Sequence, residues 1–425
     1  MSTPTPRYDA WQTAFYWSWL SNDASQHDVL VPLDHSQKWP QCLEKAREQA
    51  TQIFTERLTD KVRQALQQGQ ELIGDDWHAV WGPVVYVKGA RPLVTPFSAQ
   101  ATFEATNAML VVHSARQQRY IVAIAGTNPH SAYDWLREDF TLTPGYDWQS
   151  ALKHWQSGAA LASGNPALAT LDNGTFTGVS QLLAMRDAGG RGLLSFLQGV
   201  NASGCTLTVA GHSLGGALSP TLALALVDPE HPLQNNWQAD QLRVYATAGA
   251  TPGNAALAQR YRNTLPASIG DSASPWQVWN AVVWNQFDVV PRAWALSTLD
   301  ALPGLYAQAS YQGKKAYGDV QLAEIWALVK MAQVKAGLFE LENGLCTHLD
   351  SAQISGILNP DATPDTGFAW NAGTSSAPVW LTPAQMQAGQ SATPIAWADQ
   401  VLYQHIHAYT ELVLGTSPEV AQNQG

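Results

Sequence analysis

The residues best placed to do chemistry lie in one short run, Gly211-His212-Ser213-Leu214-Gly215-Gly216-Ala217-Leu218. It contains Gly-x-Ser-x-Gly, preceded by the apolar TLTVA (206–210) and followed by a helical pattern over 213–227. A serine on a sharp strand-to-helix turn exposes its hydroxyl, and glycines on either side relieve the crowding of that turn. Such a serine also sits at a helix N-terminus, where unpaired N–H groups and the dipole favour negative charge. The chemistry is nucleophilic attack on a carbonyl, with the Leu214 N–H able to donate to the resulting oxyanion. A solvated serine in a glycine-rich turn is the bland alternative. Strand, helix and double glycine occurring together disfavour it.

A nucleophilic serine needs a base, and the base needs an orienting carboxylate. In an α/β hydrolase the chain order is Ser, then acid, then His, with the acid following a later strand. Asp288 does so in Val282-Val-Trp-Asn-Gln-Phe-Asp288-Val-Val-Pro291-Arg292. Beyond it lie His348, His405 and His407. His405 is the preferred base, with His407 and His348 as the alternatives. The second oxyanion donor must come from a loop after another strand. Thr127, which follows RYIVAIAG (119–126), offers both its N–H and its hydroxyl. His212 flanks the nucleophile and reads as a packing residue.

These residues need a frame. Strand signals, rich in β-branched and aromatic residues, fall at 84–87, 103–114, 119–126, 206–210, 242–247 and 278–284. The second and third are joined by a polar connection that predicts a hairpin. Helical patterns fall at 41–69, 133–140, 178–199 (interrupted near Gly189–Gly190), 213–227, 254–264, 321–342 and 399–414. Pro220 should kink its helix and free a carbonyl near Gly216. Residues 359–395 read as an extended loop. Alternating strands and helices predict an α/β fold, a mostly parallel central sheet flanked by helices. The expected organisation is a helical N-terminal extension over 1–80 packed on the core, then a catalytic domain over 81–425. A helical insertion at about 297–345 precedes the base.

Composition narrows the function. Charged residues are 13% of the chain, against about 25% in average globular proteins. The net charge is −11, which argues against a nucleic-acid binder and against electrostatic docking on anionic membranes. The three cysteines show no zinc-ligand spacing and no disulfide framework. No metal or organic cofactor is expected. No run is apolar and long enough to cross a membrane, and no secretory leader is visible. Localisation stays open between a cytoplasmic protein, one exported by a signal-independent route, and a chain whose leader has been removed. The 18 tryptophans suit surfaces that are part apolar and part wet.

Together these pieces resemble the class 3 lipase family of α/β hydrolases. Gly211-His-Ser213-Leu-Gly215-Gly216-Ala-Leu matches its nucleophile motif. Ile124-Ala-Gly126-Thr127 with Asp134-Trp135 and Asp139 resembles its oxyanion strand, lid segment and following acidic positions. Ala246–Asn254 looks like a diverged form of its Phe-Gly-x-Pro-Arg-Val-Gly-Asn, Asn285-x-x-Asp288-x-Val290-Pro291-Arg292 its acid motif, and Gln404-His405 with Tyr409 its terminal His…Tyr element. Ala125 stands where the family usually has Arg. The resemblance implies an α/β-hydrolase fold and a Ser213–Asp288–His405 triad with Thr127 and Leu214 as the oxyanion hole. The implied substrate is an acyl-ester lipid, first a triacylglycerol, met at a lipid–water interface. Phospholipid acyl hydrolysis and acyl transfer are alternatives on the same scaffold. A catalytically silent binding module is the alternative of another class. If Thr127 donates to the oxyanion, Thr127→Val should lower kcat on an ester roughly 10²–10³-fold, the range for one lost donor. Unchanged steady-state turnover would leave Thr127 only its backbone role.

Overall fold

The computed structural model describes residues 6–25, 28–89, 98–126, 142–270, 274–306, 310–311, 314–315, 319–356, 370–371, 380–381, 393–394 and 397–415. Thr127, the helix expected over 133–140 with its Asp134, Trp135 and Asp139, and most of the loop expected over 359–395 lie outside the described residues.

Seven strands form the central sheet: β1 (Trp77–Val87), β2 (Ala105–Ser114), β3 (Arg119–Ile124), β4 (Thr206–His212), β5 (Leu242–Thr247), β6 (Ala281–Asn285) and β7 (Ser351–Ile354). They lie side by side in chain order. The β1–β2 and β2–β3 pairs are antiparallel, and every pair from β3 to β7 is parallel. Parallel neighbours need crossover connections, and these carry helices that cover the sheet. The result is an α/β-hydrolase fold, a mostly parallel sheet flanked by helices. The expected strands over 84–87, 103–114, 119–126, 206–210 and 242–247 all fall within or across observed ones. The expected strand over 278–284 is broken at Asn280, whose φ of 62° interrupts the pleat.

The period-2 alternation of strand side chains divides the core into two layers. Leu110, Val112, Ile121 and Ala123 pack on one face with α1 (Ala10–Ser21) and α2 (Trp39–Gln68). Met109, Val111, Val122 and Ile124 face the other, against α3 (Asn173–Ala184), α4 (Leu214–Val227) and α5 (Ala255–Thr264). Of the stripe that the spacing of α2 predicts, Ala46, Ala50, Phe54, Leu58 and Val62 are buried, while Leu43, Ile53 and Leu66 are partly buried at its margins. The sequence pattern does not show α1 as a helix. AWQTAFYWSWLS is apolar all round, as suits a helix buried on more than one side, so no stripe marks its period. A boundary at residue 80 falls inside β1.

The helical pattern over 178–199 resolves into α3 and a separate turn of helix at Leu193–Gly199, split around Gly189 and Gly190. Asp172 starts α3 by accepting from the Thr175 N–H. Helix α4 runs from 214 to 227 with Pro220 inside it. After β6, the long helix α6 (Asp319–Asn343) packs Ile325, Val329, Ala332, Ala336 and Phe339 with Val289, Val290 and Trp294. It thereby backs the segment that follows Asp288. The last helical stretch is α7 (Trp397–His405), broken at Ile406 before His407–Tyr409 and a wide turn over Thr410–Leu414. Phe54 is 1% exposed between α2 and the sheet. Phe54→Ala should cost about 3–5 kcal/mol, the range for a buried aromatic. Far-UV and tryptophan signals should shift together in chemical denaturation. A separate early loss of helix would show α2 to be no part of the sheet's core.

Candidate active site

The turn between β4 and α4 brings Ser213 to the carboxyl end of the sheet. Ser213 has φ 60° and ψ −121°, a region that L-residues rarely enter. Its N–H donates to the Thr247 carbonyl of β5 at 3.0 Å. The glycines serve close approach. A Cβ on Gly211 would lie 2.0 Å from the Gly215 oxygen, and one on Gly215 would lie 2.4 Å from the Ile124 oxygen. Only hydrogen fits at either position, so strand, turn and helix meet backbone to backbone. Leu214 is the first residue of α4. N–H groups in a first turn have no intrahelical partner and carry the positive end of the helix dipole.

Three side chains from distant parts of the chain converge there. The Ser213 hydroxyl and His405 Nε2 are 2.8 Å apart. His405 Nδ1 and Asp288 Oδ2 are 2.9 Å apart. A carboxylate accepts only, so Nδ1 carries the proton and Nε2 is left to accept from the serine. Asp288 is fully buried, and its charge is matched by donors. The Tyr409 hydroxyl donates to Oδ2 at 2.9 Å and accepts from the Asn285 N–H at 2.8 Å. The Val290 N–H donates to Oδ1 at 3.0 Å. Asn285 also donates through Nδ2 to the Gln404 carbonyl and side-chain oxygen, at 3.0 and 2.6 Å. It thereby ties the end of β6 to the residue before His405. Burial, then the adjacent Asp288 charge, pushes the Tyr409 phenol well above its usual range, so it stays a donor.

His212 forms the back wall. Its Nδ1 lies 2.9 Å from Thr247 Oγ1. Its ring centroid is 5.0 Å from that of His405 and 5.1 Å from that of Tyr409. Phe15 and Trp19 of α1 face it at 6.1 and 5.2 Å. Burial, then the neighbouring His405, holds His212 well below the usual imidazole range. It is therefore neutral, and a neutral ring does not repel an imidazolium beside it.

The structure brings Ser213, Asp288 and His405 together and places Leu214 next to Ser213. It does not bring His348 or His407 to them. His348 stacks on Trp284 at 5.8 Å and reaches Thr298. His407 stacks on Tyr403 at 5.9 Å, and burial pushes it down to about 4. Thr247, Phe15, Trp19 and Asn22 also line the site, and no local motif marks them. Among the described residues no three His, Cys, Asp or Glu side chains cluster as metal ligands would. No described helix is long and apolar enough to cross a membrane.

Residues 121–297 match the sequence profile described as lipase (class 3). None of the curated proteins matches the chain. Among solved structures, M37 lipase is similar over 97% of this chain and 95% of its own, with 22% identity and a TM-score of 0.60. Lipase II from Rhizopus niveus covers 64% of this chain and 79% of its own, at 15% identity and a TM-score of 0.35. The Rhizopus microsporus var. chinensis lipase covers 69% and 78%, at 14% identity and a TM-score of 0.34. The backbone contacts at the turn yield one expectation. Gly211→Ala places its methyl in the Gly215 carbonyl, where neither side can rotate away. A loss of roughly 1–3 kcal/mol, the range for overpacking, should appear in urea denaturation. Wild-type stability in Gly211→Ala would contradict the packing described.

Proposed function

We propose that this chain, whose residues 121–297 match the class 3 lipase profile, is a serine hydrolase of carboxylic esters whose substrates are acylglycerols, first among them triacylglycerols. The observation that carries the reading is the unbroken relay of Ser213, His405 and Asp288 at 2.8 and 2.9 Å. Ser213 Oγ attacks the ester carbonyl carbon while His405 Nε2 takes its proton. Asp288 keeps the imidazole in the tautomer that can accept, and stabilises the imidazolium. The Leu214 N–H, at the head of α4, and Thr127 donate to the tetrahedral oxyanion. His405 then gives its proton to the leaving alcohol, and the acyl group stays on Ser213. Water, activated by the same imidazole, releases the acid. The relay needs no metal and no organic cofactor.

A water-insoluble substrate is supported by the outer face of α6. Trp326, Met331, Val334, Leu338 and Leu341 are exposed on it, at 47%, 48%, 63%, 54% and 82%. With a net charge of −11 on the chain, such a face favours an uncharged lipid surface over an anionic one.

A fluorophosphonate probe and a panel of emulsified and dissolved acyl esters test the reading. Ser213→Ala should lose labelling and turnover, the latter by about 10⁶, since triad members act as a unit. His405→Ala should be as inactive, the double variant little worse than either, and His407→Ala close to wild type. A folded Ser213→Ala protein that still hydrolyses the esters would sink the assignment. A dead His407→Ala beside an active His405→Ala would move the base.

A further inference from the structure

Asn22 stands at the end of α1, far in sequence from the residues matched to the family, and it is buried. Its side-chain oxygen accepts the Gly126 N–H at 2.5 Å. Gly126 follows the last residues of β3 and lies directly against the nucleophile. A Cβ on it would sit 2.7 Å from the His212 oxygen and 2.9 Å from Ser213 Cβ. On the opposite side the Ala125 oxygen is 3.0 Å from where a Cβ of Gly215 would be. The Ala125–Gly126 peptide is thus wedged between Asn22 and the turn that carries Ser213.

We propose that Asn22 is a positioning residue for catalysis, holding the Ala125–Gly126 peptide in register with Ser213. The inference rests on the ester-hydrolase reading above. A peptide unit is planar, so a hydrogen bond at its N–H also sets the direction of its carbonyl and of the chain that leaves it. Wedged without that bond, a buried N–H would be left unsatisfied, and the unit would tilt to find a partner.

The anchor is itself held by elements that carry site residues. The Asp9 side chain accepts from the N–H groups of Trp11 and Gln12 and caps α1, and Gln277 Nε2 donates to its second oxygen at 2.7 Å. Gln12 Nε2 donates to the Val413 carbonyl at 2.8 Å, just past Tyr409. Trp11 stacks on Trp279, before β6, with centroids 5.0 Å apart. Phe15 and Trp19 lie on His212. Helix α1 therefore references the ends of β3, β4 and β6 and the terminal segment to one another. Asn22 passes that reference to the end of β3, which packs against Ser213.

Asn22→Leu keeps the volume and removes the acceptor, Asn22→Ala is the smaller substitute should Leu not fold, and Asn22→Asp keeps the acceptor. Turnover of p-nitrophenyl butyrate, thermal unfolding, and deuterium uptake of the peptide spanning 119–126 are measured for each. For Asn22→Leu, kcat should fall about five- to a hundredfold, the range for a buried donor left unpaired. KM should stay within twofold, and uptake at the end of β3 should quicken. Asn22→Asp should keep wild-type protection there. A folded Asn22→Leu with wild-type kcat, a loss confined to KM, or unchanged uptake overturns the proposal. An inactive wild-type chain overturns the reading of function and this inference with it. An active wild type beside an unimpaired Asn22→Leu overturns this inference alone.

Discussion

The backbone of Ser213 is the constraint around which the rest is arranged. A non-glycine residue at φ 60° and ψ −121° costs on the order of 1–3 kcal/mol and persists only when its surroundings over-determine it. Here they do so through backbone contact. Gly211 meets Gly215, Gly215 meets Ile124, and Gly216 meets Thr247, each at a separation that excludes a side chain. Strands β3, β4 and β5 must therefore be adjacent, parallel and in register at their carboxyl ends. The central sheet supplies that arrangement, and the helix leaving the turn points its positive end at the serine.

The acid side is governed by desolvation. A fully buried carboxylate is costly unless every oxygen finds a donor. Asp288 finds His405, Tyr409 and Val290, which come from the terminal segment and from its own loop. Tyr409 and Asn285 hold the two pieces together, so the requirement to satisfy one charge also fixes where the last helix docks. The last helix is broken at Ile406, between the two residues that meet Asp288 Oδ2. A continuous helix turns 100° per residue and would present His405 and Tyr409 only about 40° apart. The break lets the imidazole reach Ser213 while the phenol passes behind it to Asp288.

The N-terminal helices belong to the same economy of burial. One face of the sheet packs on α3, α4 and α5, the other on α1 and α2. A parallel sheet tolerates no bare face. The aromatic residues of α1 consequently fall against His212 and bury it beside the His405 imidazole. Layer, wall and anchor are one helix.

Local chemistry was legible in the order of residues. The serine turn announces itself because its crowding restricts three positions around Ser213, at 211, 215 and 216, to glycine. Asp288 announces itself by following a strand, and α2 by a stripe with one buried side. Thr127 and its lid-like neighbours rest on the sequence alone. Folding decided what depends on contacts between distant segments. Three histidines follow Asp288, and composition cannot choose among them. The choice comes from tertiary contact: the fold brings His405 to 2.8 Å from Ser213 and 2.9 Å from Asp288. Helix α1 carries no stripe because both its sides are buried. Strand β7 is four residues long at a sheet edge, too short for its alternation to stand out. Asn22 and Thr247 meet the site across gaps no periodicity spans, since their partners are set by which strand ends the sheet brings together.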